Sequence, residues 1–157
     1  IRKYENLSYI RKSFVFRSLN RLYFFEMTEA VKKKVLVAED DPSLSQILSS
    51  RLTRAGMEVI KAKTGEEALK VIQETKPDLV LLDLILPGKY DGFEVLQKMR
   101  EDPTLDSRSV VIISNLGQES DMERVKQLGA VEYFVKAKTS IDDLVNRIKD
   151  LLNTPSS

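Results

Sequence analysis

The chain contains no cysteine and no histidine. The first absence excludes disulfides, thiolate metal sites and cysteine nucleophiles. The second excludes histidine-based triads and most zinc or haem ligation. No apolar run approaches the ~18 residues that suggest a membrane span. No apolar segment followed by a small-residue cleavage site reads as a signal peptide, so a cytoplasmic protein is expected. What is present is ordinary in amount. Of 157 residues, 42% are apolar and 31% charged, the mix of a soluble globular protein. The length suits one domain rather than two. A chain of this size buries roughly 68–70% of its unfolded surface without needing cross-links.

The net charge of +1 hides an asymmetry. Residues 1–26 carry six basic and two acidic side chains, hence +4, and seven of the eleven aromatics; the remainder carries −3. Two compositions meet near Met27, where Met27-Thr28-Glu29-Ala30 looks like an ordinary start. Residues 1–26 are therefore expected to be a basic, aromatic extension without function of its own, either non-native or disordered. A membrane-surface or partner-binding helix carrying Val15, Leu19 and Leu22 is a second reading. Nucleic-acid binding is a third.

From Lys34 onward short apolar runs alternate with amphipathic segments. Strands are expected at Val35–Ala38, Met57–Lys61, Leu79–Leu82, Val110–Ile113 and Val131–Val135. Helices are expected between and after them. One carries Leu44, Ile47, Leu48, Leu52 and Ala55, and Gly56 closes it. Another starts at a Thr64…Glu67 capping box and stops before Pro77. A loop with Pro87, Gly88 and Gly92 precedes a third helix marked by Phe93, Leu96 and Met99. Met122, Val125 and Leu128 mark a fourth. Thr139 and Ser140 cap a fifth, which runs through Leu152 to a polar tail at 153–157. Five strands alternating with five helices predict an α/β, doubly wound parallel sheet with helices on both faces.

In such sheets ligands bind beyond the carboxyl ends of the strands, where the strand order switches. The residues there are chemically distinctive. The first strand ends in Glu39, Asp40 and Asp41, the third in Asp83, the fourth in Ser114 and the fifth in Lys136. Clustered carboxylates repel unless a cation joins them. With no His or Cys beside them they favour a hard ion, Mg²⁺ or Mn²⁺. A carboxylate can also attack phosphorus and form an aspartyl phosphate, with the ion neutralising the transferring group. Lys136 and Ser114 could each meet a phosphoryl oxygen. Singly, each residue has a plainer reading: Asp40 or Asp41 before Pro42 as a helix cap, Asp83 as a turn residue, Lys136 as a solvated charge. Their coincidence at one edge, in complementary roles, favours a site.

With those residues in view, the sequence resembles the receiver domain of two-component response regulators, over roughly Lys33 to Leu152. Val35-Leu36-Val37-Ala38-Glu39-Asp40-Asp41-Pro42 is similar to the family's first strand and acidic pair. Pro77 through Gly88 resembles its phosphoacceptor segment, and Asp91-Gly92-Phe93-Glu94-Val95-Leu96 the helix after it. The resemblance implies a flavodoxin-like fold of strand order 2-1-3-4-5. It implies phosphorylation of Asp83 by a histidine kinase or phosphotransfer protein. Asp40, Asp41, Asp83 and the Ile85 carbonyl would bind Mg²⁺, Ser114 and Lys136 would contact the phosphoryl group, and Tyr133 would be the switch aromatic. Output would pass to a protein partner through the fourth helix, fifth strand and fifth helix, without direct nucleic-acid binding. Such a protein catalyses only its own phosphorylation and dephosphorylation.

Three departures stand out. Ala137 follows Lys136 where the family usually has a cis proline; a cis bond before a non-proline costs ~2.5–4 kcal/mol, so trans is expected. Asn115 replaces a small residue beside Ser114. The Pro87–Gly92 loop has one extra residue around Lys89-Tyr90. Ile85 and Leu116, two residues beyond Asp83 and Ser114, cannot orient an attacking water, so a long-lived phosphorylated state is expected. A pseudo-receiver that binds partners without phosphate is the main alternative. A flavodoxin-like cofactor binder is weaker, because no Gly-rich phosphate loop follows the first strand.

Overall fold

The computed structural model describes residues 32–154. The extension at 1–26 and the last three residues of the tail lie outside the described residues. The elements run β1 (Lys34–Ala38), α1 (Pro42–Arg54), β2 (Glu58–Ala62), α2 (Gly65–Thr75), β3 (Leu79–Leu82), α3 (Gly92–Glu101), β4 (Ser109–Ser114), α4 (Glu119–Gln127), β5 (Glu132–Val135) and α5 (Ile141–Asn153). All five strands are parallel, in the order β2-β1-β3-β4-β5. This is the doubly wound architecture expected from the alternating pattern, in the flavodoxin-like order that the family resemblance implied.

The central strands are apolar on both faces because both faces are covered. Leu36, Ala38, Val80, Leu82, Val110 and Ile112 face α2, α3 and α4, meeting Ile72, Leu96, Met99 and Val125. The alternate residues Val35, Val37, Leu79, Leu81, Val111 and Ile113 face α1 and α5, meeting Leu48, Leu52, Leu144 and Ile148. Truncating one of these fully buried side chains, such as Leu36 or Ile112, should cost ~2–5 kcal/mol.

Differences from the expected boundaries have local causes. Met57 lies in the turn after α1, where its N–H closes the helix end on Leu52 O, and β2 runs from Glu58 to Ala62, whose carbonyl accepts from Glu39 N–H. Ile47 lies off the buried stripe of α1, which is Ser45, Leu48, Ser49 and Leu52, and is 48% exposed. At the start of α2 Thr64 accepts from Glu67 N–H, but Glu67 reaches back one residue further than a capping box requires, to Lys63 N–H. Gly92 belongs to α3 rather than to the preceding loop, because Asp91 and Glu94 form a complete capping box in front of it. Val131 precedes β5 and is 46% exposed, and Asn153 still belongs to α5.

Candidate functional site at the switch point

The register of the sheet assembles the site. β1 and β3 are neighbours, and their last pair is Ala38 opposite Leu82. One residue further, Glu39 and Asp83 therefore emerge side by side, where the chain order switches direction. The pairing β4–β5 ends with Ser114 opposite Val135, and Lys136 donates its backbone N–H to Ser114 O at 3.0 Å. Four strand ends thus deliver an acid, an acid, a hydroxyl and an ammonium to one edge.

Lys136 Nζ lies 2.6 Å from Asp83 Oδ2 and 2.6 Å from Glu39 Oε2. Both contacts are short, charge-assisted ones, so a single ammonium pairs with two carboxylates at once. The other oxygen of each carboxylate is held by backbone: Asp83 Oδ1 accepts Ile85 N–H at 3.0 Å and Glu39 Oε1 accepts Asp41 N–H at 3.2 Å. Close packing behind Asp83 depends on Gly92, since a Cβ there would overlap the Asp83 carbonyl.

Charge is poorly balanced here. Glu39 and Asp83 are almost fully buried, at 1% and 3% exposure. Burial raises the Glu39 carboxyl above its usual range, and the nearby Lys136 offsets this only in part. Burial alone would depress the Lys136 ammonium, but its bonds to Asp83 and Glu39 prevail and hold it above the usual lysine value. One ammonium is thus shared by two buried acids.

Glu39, Asp40 and Asp83 can each place an oxygen within 4.8 Å of the others. Asp41 is not in this group. The acids that the fold brings together are Glu39, Asp40 and Asp83, where the sequence suggested Asp40 and Asp41 beside Asp83. Asp41 is exposed and caps α1, accepting Leu44 N–H at 2.7 Å in front of Pro42 at the first helical position. Pro42 was the signal in the sequence, since proline at the start of a helix marks the residue before it as the cap.

Ser114 is fully buried, and its Oγ accepts Leu116 N–H at 3.3 Å. The Tyr133 hydroxyl donates to Leu116 O at 2.5 Å. Burial, then the charge of Asp121, raises the Tyr133 phenol above its usual value. Serine and tyrosine therefore meet at the β4–α4 loop. Ile85 is 56% exposed beside Asp83, and Asn115 is exposed beside Ser114. The Lys136–Ala137 peptide is trans.

The donor set at the sheet edge is all oxygen, and two of its three acids are buried around one ammonium. That fits a hard divalent ion. A family model described as the response regulator receiver domain matches residues 35–149. The chain belongs to the response regulator receiver family. Receiver domains bind Mg²⁺ at an acidic pocket of this kind, and they serve two-component signalling.

Relatives of this receiver are regulators rather than conventional enzymes. A Cyanophora paradoxa protein named "Probable transcriptional regulator ycf27" is 40% identical over 124 residues, 79% of this chain and 50% of that protein. The Synechocystis "DNA-binding dual master transcriptional regulator RpaA" is 34% identical over 119 residues, 76% of this chain and 48% of that protein. The chain spans about half the length of these curated relatives. Among solved structures, the BeF3-activated receiver domain of Klebsiella pneumoniae RstA is 30% identical with a TM-score of 0.70, over 78% of this chain and 100% of that one. The phosphorylated cyanobacterial phytochrome response regulator RcpA is 29% identical with a TM-score of 0.69, over 80% and 98%. No helix among the described residues is long and apolar enough to cross a membrane.

Proposed function

We propose that this receiver takes a phosphoryl group onto Asp83 from the phosphohistidine of a histidine kinase or phosphotransfer protein. An Asp83 carboxylate oxygen forms the new bond to phosphorus. The phosphorus–nitrogen bond breaks and the imidazole leaves with its electron pair, so the product is an acyl phosphate. The observation that carries this reading is the shared ammonium: Lys136 reaches Asp83 and Glu39 equally, at 2.6 Å. It is therefore already placed beside the acceptor, ready to meet a phosphoryl oxygen.

Glu39, Asp40 and Asp83 would hold Mg²⁺, with the Ile85 carbonyl as a backbone ligand; Mn²⁺ suits the same oxygen set. When bound, the ion neutralises charge on the transferring group. Ser114 would then turn its hydroxyl toward a phosphoryl oxygen and give up Leu116 N–H, and Tyr133 would follow into the space released. That is a shift between two packings, driven by added charge. Its readout would be the α4–β5–α5 face, where a cleft of about 280 Å³ is lined by Met122, Val125, Val131 and Tyr133. A protein partner would bind there. Its own phosphorylation and hydrolysis would be the only chemistry, and apolar Ile85 and Leu116 beside the site would make hydrolysis slow.

Adding Mg²⁺ with beryllium fluoride should shift the NMR signals of Ser114, Leu116 and Tyr133 in the wild type and leave Asp83→Asn unchanged. Equal responses in both proteins would overturn the proposal. Loss of label within seconds from purified phosphorylated protein would overturn the slow hydrolysis.

A further inference from the structure

The β3–α3 loop is held from outside by α2. Gly65 and Glu66 open that helix, and Gly65 touches the loop so closely that a Cβ would overlap the Tyr90 carbonyl. Glu66 Oε1 accepts Lys89 N–H at 2.5 Å. Its second oxygen packs on Gly88, whose φ of +104° and lack of a Cβ allow the approach. Tyr90 completes the clasp, its ring lying 5.0 Å from Lys89 Nζ and 4.8 Å from Lys98 Nζ. At its other end the same loop presents Ile85 N–H to the Asp83 carboxylate. Between the two ends only Leu86 is buried; Ile85, Pro87, Gly88 and Lys89 are exposed. Leu86 anchors the middle of the loop in the core, and the exposed stretch from Pro87 to Lys89 is held from outside by Glu66.

We propose that Glu66 is a positioning residue for the acceptor site: by gripping the loop at Lys89 it keeps the Ile85 peptide seated against Asp83. Asp83 is then oriented by two agents, Lys136 on one oxygen and the clasped loop on the other. This rests on the reading of Asp83 as phosphoacceptor with a divalent ion beside it.

Amide hydrogen exchange and Mg²⁺ titration on the full chain test this, using wild type, Glu66→Ala and Glu66→Gln. Glu66→Ala should speed exchange about tenfold at both Lys89 and Ile85, the loss expected for a charge-assisted hydrogen bond. It should weaken Mg²⁺ binding about threefold to tenfold, the low end of what supporting groups contribute. Glu66→Gln keeps an acceptor oxygen and should restore most of both. Faster exchange confined to Lys89, or Mg²⁺ affinity equal to wild type in Glu66→Ala, would overturn the proposal. If the wild type bound no Mg²⁺, the reading of the site would fall; faster exchange at Ile85 in Glu66→Ala would still support the clasp, and unchanged exchange there would overturn it.

Discussion

Two withdrawn charged clusters sit at opposite ends of the sheet and are treated in opposite ways. At the carboxyl edge, the buried Glu39 and Asp83 share one ammonium, a single positive charge for two negative ones. Near the amino edge, Arg100 at the end of α3 donates to Leu128 O at 3.0 Å, Gly129 O at 2.9 Å, Arg108 O at 3.1 Å and also Asp106 O. That guanidinium knits the α3–β4 loop to the end of α4, satisfying carbonyls that the helix leaves free. Burial draws its pKa below the usual arginine value, and Asp106 offsets this in part. A charge with nearly all its partners holds structure together. A charge group short of partners is costly to the fold and waits for a ligand.

The contrast can be broken at either end, and the largest effect is expected at Arg100. Arg100→Ala should lower stability by about 2–3 kcal/mol, since several charge-assisted bonds and their carbonyl partners are lost together. Denaturant unfolding measures this, and the Mg²⁺ affinity of the folded variant should stay near wild type. A stable Arg100→Ala protein would erase the structural half of the contrast.

Glu39→Gln should act in the other direction. Without metal it should raise stability by on the order of 1 kcal/mol, because a buried, underpaired charge is removed. The sign follows from the raised Glu39 carboxyl: the folded state binds that proton more tightly than the unfolded chain does. Metal-free wild type therefore loses stability as pH rises from the ordinary carboxylate value through the raised one. Glu39→Gln should lack that loss, and its advantage should grow across the same window. With Mg²⁺ the order should reverse, because the ion needs the carboxylate. Thermal unfolding at several pH values, with and without Mg²⁺, reads all of this.

The smallest effect is expected at Asp41. Asp41→Ala should cost about 0.5–1 kcal/mol as the loss of an exposed helix cap, with Mg²⁺ affinity little changed. A large loss of Mg²⁺ affinity there would return Asp41 to the acidic group.

The strands were legible because β1, β3 and β4 are short uninterrupted apolar runs, while their order came only from the family resemblance. Asp83, Ser114 and Lys136 stood out as polar groups at the ends of β3, β4 and β5. The acids gathered beside Asp83 were legible only to within one residue: three acids in a row satisfy the same pattern, and Pro42 decides which of them is turned to the helix. The Asp91…Glu94 box has a local signature, although the glycine inside it suggests a loop. Arg100 and Glu66 have no signature of this kind. Their partners are backbone groups 6 to 29 residues away for Arg100 and 23 away for Glu66, and only the folded chain brings them together.

Incubation with acetyl phosphate, followed by mass spectrometry of the intact protein, tests the acceptor role of Asp83 most directly. The account predicts the mass of one phosphoryl group on the wild type, added only with Mg²⁺ and missing from Asp83→Asn. An unmodified wild type, or equal labelling of Asp83→Asn, would contradict it.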